Sequence, residues 1–598
     1  MKKLKKSILA VIALLTAFSV PFGAAACTTD DTPDGNPGTG GQPIVIPGQD
    51  DDNGQTKPDL KPDPDPPAAE GAVQITEGQG DLEAAYVKWT ALDGASWYNV
   101  YYKGENGDWT KLDAPLVRQY KTYFRADAVG LKTGKYSLKV VPYDETGNEL
   151  EEKSAIKNVA VAPHERVGYA FIGTDGSRVM PGAYNEDGTL KEGAHVLYVT
   201  DENKDSITFD IVAKEDGRTQ TCVGIQQIFE YYRKGYDKSP LCMRFIGNVN
   251  TPSKTENGEG DLVIGNGADK ARGGSFTLEG VGDDATINGF GFSIKRSSFA
   301  EVRNLGFMNC SSKEGDNVSI AHENDHIWVH NCDMFYGAPG KDADQVKGDG
   351  ALDTKYSSYI THSYNHFWDN GKCNLQGMKD VIEKEALVTY HHNWYDHSDS
   401  RHPRIRMATA HIFNNYYDGN SEYGVGVTLG ASAFVENNYF RSTARTYPML
   451  MAGQGSDLLT NPKKGTFSGE DGGVIKAYGN KFDGSLFVMV TQNDTDDKSG
   501  IDCYLASSRD EKVPADYTTK KGGNIYNNFD TAEDMYEYAL DTPDVAKEKV
   551  LKYAGRMGGG DFKFTFNYEV EDGNKNIIPE LKQLLTDYTS DLVKIGND

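Results

Sequence analysis

Seven asparagines recur along this 598-residue chain, each closing a short apolar run beside aromatic or apolar residues: Asn304, Asn331, Asn365, Asn393, Asn415, Asn438 and Asn480. Their separations are 27, 34, 28, 22, 23 and 42 residues. Spacings of 22 to 28 suit one coil of a parallel β-helix, and the longer ones suit a coil that carries a loop. An asparagine at the same turn of each coil can donate its side-chain amide to the next, which satisfies polar groups that the stack buries. The triplets Asn393-Trp394-Tyr395, Asn415-Tyr416-Tyr417 and Asn438-Tyr439-Phe440 repeat the environment as well as the residue. The 65 glycines agree with a turn-rich, all-β chain. Such a stack needs covered ends. The amphipathic signal at Gly224–Tyr232 predicts a helical cap, and a second helix signal at Glu580–Val593 is expected to pack at the other end.

Polar chemistry concentrates inside the repeat. Asp349 and Asp353 are four residues apart, and Asp316 lies about one coil earlier, so stacking can bring three carboxylates together. Calcium takes six to eight oxygen ligands in a loose geometry, and a site assembled across coils suits it better than any local loop motif here. Lys372, Arg401, Arg404 and Arg406 form a basic strip in a chain of net charge −26, and arginine forks match carboxylates. Salt bridges to neighbouring aspartates are the alternative use of that strip. His391 and His392 flank an asparagine turn, and strand alternation would send them to opposite faces in structural roles.

The run Asp349-Gly350-Ala351-Leu352-Asp353, then Lys372, His391-His392-Asn393, Arg401-His402-Pro403-Arg404-Ile405-Arg406 and His411-Ile412-Phe413-Asn414-Asn415 resembles the pectate lyase superfamily, polysaccharide lyase family 1. The resemblance is strong over about 280–485 and implies a right-handed parallel β-helix over 164–598. It further implies Ca2+ held by Asp316, Asp349 and Asp353, substrate carboxylates bound by Lys372 and Arg406, and Arg401 as the base in β-elimination of polygalacturonate. A guanidinium base implies an alkaline optimum. Three departures stand out: His330-Asn331 where many relatives have Asp-His, a long loop Gly337–Lys347 whose Asp342 and Asp344 offer an extra calcium site, and one residue fewer between Asp353 and Lys372. A lyase acting on methylated pectin, or a non-catalytic polysaccharide-binding surface protein, are the alternative readings.

The flanks are different in kind. Residues 1–27 read as a signal peptide: Lys2, Lys3, Lys5 and Lys6, a short apolar run, then Ala24-Ala25-Ala26-Cys27, which resembles a lipobox apart from Ala24. Lipid anchoring through Cys27 and free secretion are both open, and either makes an exported bacterial protein. Residues 28–70 form an acidic, proline-rich linker with almost nothing to bury. Residues 71–163 alternate at period two around Val87, Trp97–Tyr102 and Tyr136–Val141 and resemble a fibronectin type III β-sandwich, expected to fold independently of the solenoid. Trp97 and Trp109 are packing residues or sugar stackers. The seven cysteines show no metal-binding spacing and read as buried thiols or one or two disulfides. The acidic charge argues against nucleic acid as a partner, so the expected partner is pectin, met by a monomer.

Overall fold

The computed structural model describes residues 71–596 apart from 254, 256–259, 266–273, 312–314, 342–344, 379–385, 444–450, 453–466, 468, 485–502, 520 and 533–534. The signal, Cys27 and the linker therefore lie outside the described residues, as do Asp342 and Asp344.

From His195 onward the chain winds as a parallel β-helix. Successive coils stack in parallel register along three ladders. One runs through the eight strands Asp261–Gly265, Gly291–Lys295, Val318–Ala321, Leu352–Lys355, Leu375–Gln376, Arg404–Arg406, Val425–Thr428 and Met451–Ala452. A second includes Asp325–His330, Ser358–Ser363, Leu387–His391 and Thr409–Phe413, and a third His366–Trp368, Trp394–Asp396 and Tyr416–Asp418. One interior column is aromatic over five successive coils. Phe367, Tyr395, Tyr417, Phe440 and Phe482 stack with ring centroids 4.0 to 5.4 Å apart. Such ring contacts add to the burial of the rings themselves.

The asparagine ladder exists, but over five of the seven positions. Each Nδ2 donates to the next Oδ1: Asn365 to Asn393 (3.1 Å), Asn393 to Asn415 (3.0 Å), Asn415 to Asn438 (3.0 Å) and Asn438 to Asn480 (2.9 Å). Asn304 and Asn331 sit one residue out of register. They occupy the left-handed corner (φ 54° and 50°) that Tyr364, His392, Asn414 and Asn437 fill in later coils. Their amides bond instead to the carbonyls of Gly280 and Tyr553, and Cys332 takes the ladder position beside Asn365. Asparagine tolerates the left-handed region, so one residue type serves two adjacent columns.

The helix Ile225–Tyr232 buries Ile225, Ile228, Phe229 and Tyr232 against the first coils, with Phe229 edge-on to Phe276. The second helix, Pro579–Thr586, is not an end cap. Leu581 and Leu585 pack sideways onto Met308, Phe335, Tyr336 and Trp368.

Residues 75–161 form two antiparallel sheets. Thr110–Lys111, Trp97–Gly104, Gly134–Tyr143 and Ala155–Val161 make one, and Ile75–Gly80, Ala84–Trp89, Phe124–Val129 and Val117–Tyr120 make the other. Trp89 and Trp97 both lie in the core between them, which rules Trp97 out as a sugar stacker. The edge of the second sheet is completed by Leu592–Ile595, where Leu592 pairs with Tyr120. The sandwich is also joined to the solenoid by buried charge. Arg125 donates to both oxygens of Asp127 at 2.8 Å and pairs with Asp283 of the solenoid at 2.6 Å. Tyr120 donates to Asp284 at 3.0 Å, and Glu83 holds both Arg166 and Arg303. Ile246 and Val281 of the solenoid belong to the sandwich's own apolar cluster. The expectation of an independently folding module therefore meets a shared core. The six described cysteines are all buried.

Candidate active site

Four consecutive coils build the site. Gly350, Lys372 and Ser400 are bridged in parallel, so Asp349, Lys372 and Arg401 come from neighbouring levels of one face. Asp353, in the strand Leu352–Lys355, stands in register with Ser319 of the preceding coil. Asp316 precedes that coil's strand and is reached by the Gly350 amide, which donates to its Oδ1 at 2.9 Å.

The carboxylates converge because Gly350 lacks a side chain. A Cβ there would sit 2.5 Å from Asp353 Oδ1 and 2.7 Å from Asp316 Oδ1, and one on Gly315 would sit 2.7 Å from Asp349 Cβ. Asp316 is 2 % exposed. Burial, then Asp353 and Asp349 nearby, push its carboxyl well above the usual range against the opposing pull of Lys355. Lys355 Nζ lies 3.3 Å from Asp316 and 3.6 Å from Asp353. Crowded, partly buried carboxylates with too little positive charge among them are the donor set that a hard divalent cation stabilises.

The cations line an adjoining cleft of about 800 Å³. Lys372 Nζ donates to Asp349 at 3.1 Å, and Arg401 Nη1 is 3.9 Å from Asp353 Oδ2. Arg401 has φ 63°, in the left-handed region ahead of a cis His402–Pro403 bond. Arg406 is held by Glu470, which accepts from its Nε at 3.1 Å and lies 3.0 Å from Nη2. The same Glu470 accepts from Arg404 Nη2 (3.1 Å) and Thr428 Oγ1 (2.7 Å). Glu470 and Lys355 are not among the residues singled out from sequence. Under the rim, Lys347 Nζ donates to Asp369 (2.7 Å) and Asp399 (3.0 Å). Burial pushes Asp399 up to about 8 although Lys347 pulls it down, because two carboxyls share one ammonium.

Residues 269–558 match the sequence model of the pectate lyase family. The match takes in every one of these site residues and just under half of the chain. Among curated relatives, the chain is 27% identical over 229 residues to the pectate trisaccharide-lyase of Bacillus licheniformis, 38% of this chain and 64% of that one. It is 34% identical over 173 residues to pectate lyase A of Emericella nidulans, 28% of this chain and 51% of that one. The chain thus spans between half and two thirds of the length of these relatives. Among solved structures, a pectate lyase from Bacillus sp. N165 in complex with trigalacturonate overlaps 66% of this chain and 99% of its own at 19% identity and TM-score 0.43. The family model and the curated relatives support the superfamily that the motifs resemble.

His391 and His392 do not diverge as strand alternation predicts. The left-handed corner at His392 (φ 52°) turns its ring back, and the two Nδ1 atoms stand 3.0 Å apart. Both rings are buried outside the cleft.

Proposed function

We propose that the chain is a calcium-dependent pectate lyase that cleaves α-1,4-linked polygalacturonate by β-elimination, releasing 4,5-unsaturated oligogalacturonates. The observation that carries this reading is the convergence of Asp316, Asp349 and Asp353 around Gly350 beside a cleft lined by Lys372, Arg401 and Arg406.

In this reading the three aspartates hold Ca2+, which would neutralise a galacturonate carboxylate and draw charge from the adjacent C5. Lys372 leaves Asp349 to bind a substrate carboxylate, and Arg406 presents the free edge of its guanidinium while Glu470 fixes the rest. Arg401, tethered only loosely to Asp353, takes the C5 proton, after which the C4–O4 bond breaks and the 4,5 double bond forms. A guanidinium base favours an alkaline optimum. The acidic chain meets its acidic substrate through the cation and the basic strip. The N-terminal segment is read as an export signal, with anchoring at Cys27 as its lipobox-like form.

The test is the absorbance of the unsaturated product from polygalacturonate, with added calcium and with excess chelator. Calcium-dependent product supports the proposal. Full activity in chelator removes the metal, and product only from methylated pectin makes the chain a pectin lyase.

A further inference from the structure

A second group of metal-compatible donors lies away from the cleft. His391 Nδ1 and His392 Nδ1 face each other at 3.0 Å, and Glu165 Oε2 is 4.0 Å from His392 Nδ1. One donor atom from each of the three residues falls within 4.8 Å of the others. They come from different parts of the chain: Glu165 from the connector after the sandwich, the histidines from one corner of a coil.

The surroundings fix the chemistry of the donors. Asp541 accepts from His392 Nε2 at 3.0 Å and is itself held by Lys549. That commits the ring hydrogen of His392 to Nε2 and leaves Nδ1 as a lone pair aimed at His391. A carboxylate behind a histidine is the arrangement that orients metal-bound imidazoles and raises their basicity. Tyr364 donates to Glu165 Oε2 at 2.6 Å and stacks on the His392 ring at 4.7 Å, fixing both. Without an ion, His391 Nδ1 donates to the His392 lone pair, and a bound ion would take the place of this hydrogen, which moves to His391 Nε2.

We propose that Glu165, His391 Nδ1 and His392 Nδ1 bind a first-row divalent transition ion of the zinc class, at a site separate from the calcium carboxylates. Two imidazole nitrogens and one carboxylate suit such an ion, whereas calcium prefers an all-oxygen shell. At zinc–nitrogen bonds of about 2.0–2.1 Å, tetrahedral ligand nitrogens stand roughly 3.3–3.4 Å apart, so the pair needs to open by only a few tenths of an ångström. The ion enters from the carboxylate side. Glu165 and Asp541 are 11% and 17% exposed, while both rings are fully buried. Bound there, it would clip the connector to the coil and, through Asp541, to the C-terminal segment that crosses it.

The test uses the full chain, stripped with chelator and held in excess calcium so that the cleft is filled. Co2+ is titrated and its visible bands are followed, then Zn2+ is added in competition. One equivalent of tetrahedral cobalt, displaced by zinc and absent in His392→Gln, is expected. Asp541→Asn should weaken binding about 10–100-fold. Glu165→Gln, at the partly exposed ligand, serves if the histidine variant does not fold. Wild type without stoichiometric cobalt, or cobalt bands unchanged in Glu165→Gln, overturns the site and leaves the histidines as a hydrogen-bonded pair.

Discussion

Replacing Gly350 by alanine tests the metal geometry without touching a ligand. Gly350 is not among the residues with positive φ, so alanine meets no backbone penalty, and its amide can still donate to Asp316. The added Cβ would stand 2.5 Å from Asp353 Oδ1 and 2.7 Å from Asp316 Oδ1, against an ordinary contact of 3.4 Å. The two carboxylate oxygens must therefore withdraw by about 0.9 and 0.7 Å. Neither has room to do so easily, since both side chains are almost fully buried and Asp353 Oδ1 also accepts from the Leu375 amide at 3.0 Å. A misplacement of about 1 Å in a reacting constellation costs roughly 100-fold. Gly350→Ala is expected to lower kcat/KM on polygalacturonate by about that factor and to raise the calcium concentration needed for half-maximal rate. The assay is initial product absorbance across a calcium series, with near-ultraviolet circular dichroism to establish that the variant is folded. A folded variant within twofold of wild type at every calcium level refutes the claim that these carboxylates must converge over Gly350.

Arg401→Lys should remain folded and lose about 10³-fold in turnover, read from the same absorbance at saturating calcium. Asp349→Ala should need more calcium and recover part of its rate when it is supplied, while excess chelator should abolish wild-type activity. Asp399, raised to about 8 in the folded chain from an ordinary 3.8, keeps a proton that the unfolded chain releases. Its contribution to stability is complete below about pH 4, falls as pH rises toward 8 and is flat above that. Asp399→Asn should flatten this part of the denaturation-midpoint profile. Arg125→Ala leaves Asp127 to Arg118 and Asp283 to Lys88 alone, and should cost up to about 3 kcal/mol in chemical denaturation.

The sequence carried the solenoid better than it carried the contacts between segments. Period and residue type exposed the coils because each coil repeats the same burial problem. The asparagine columns at Asn304 and Asn331 were misassigned by one residue, since corner and ladder positions accept the same side chain. Alternation was the wrong rule for His391 and His392 because a left-handed residue interrupts it. Lys355 was within reach: it lies two residues beyond Asp353 in one strand and so shares its face. Glu470 was not, because 64 residues separate it from Arg406 and no motif marks it. Nor does anything local distinguish Leu592–Ile595 as a strand of an N-terminal sheet.

That strand bears on how the molecule is made and handled. A sheet begun near residue 75 cannot be closed until the ribosome has delivered residue 595, so the emerging chain carries Val117–Tyr120 as an open edge through most of synthesis. Open edges recruit foreign strands. Purification tags, clipping or frayed ends at the C-terminus should therefore register first as aggregation of the N-terminal module, at the opposite end of the described chain.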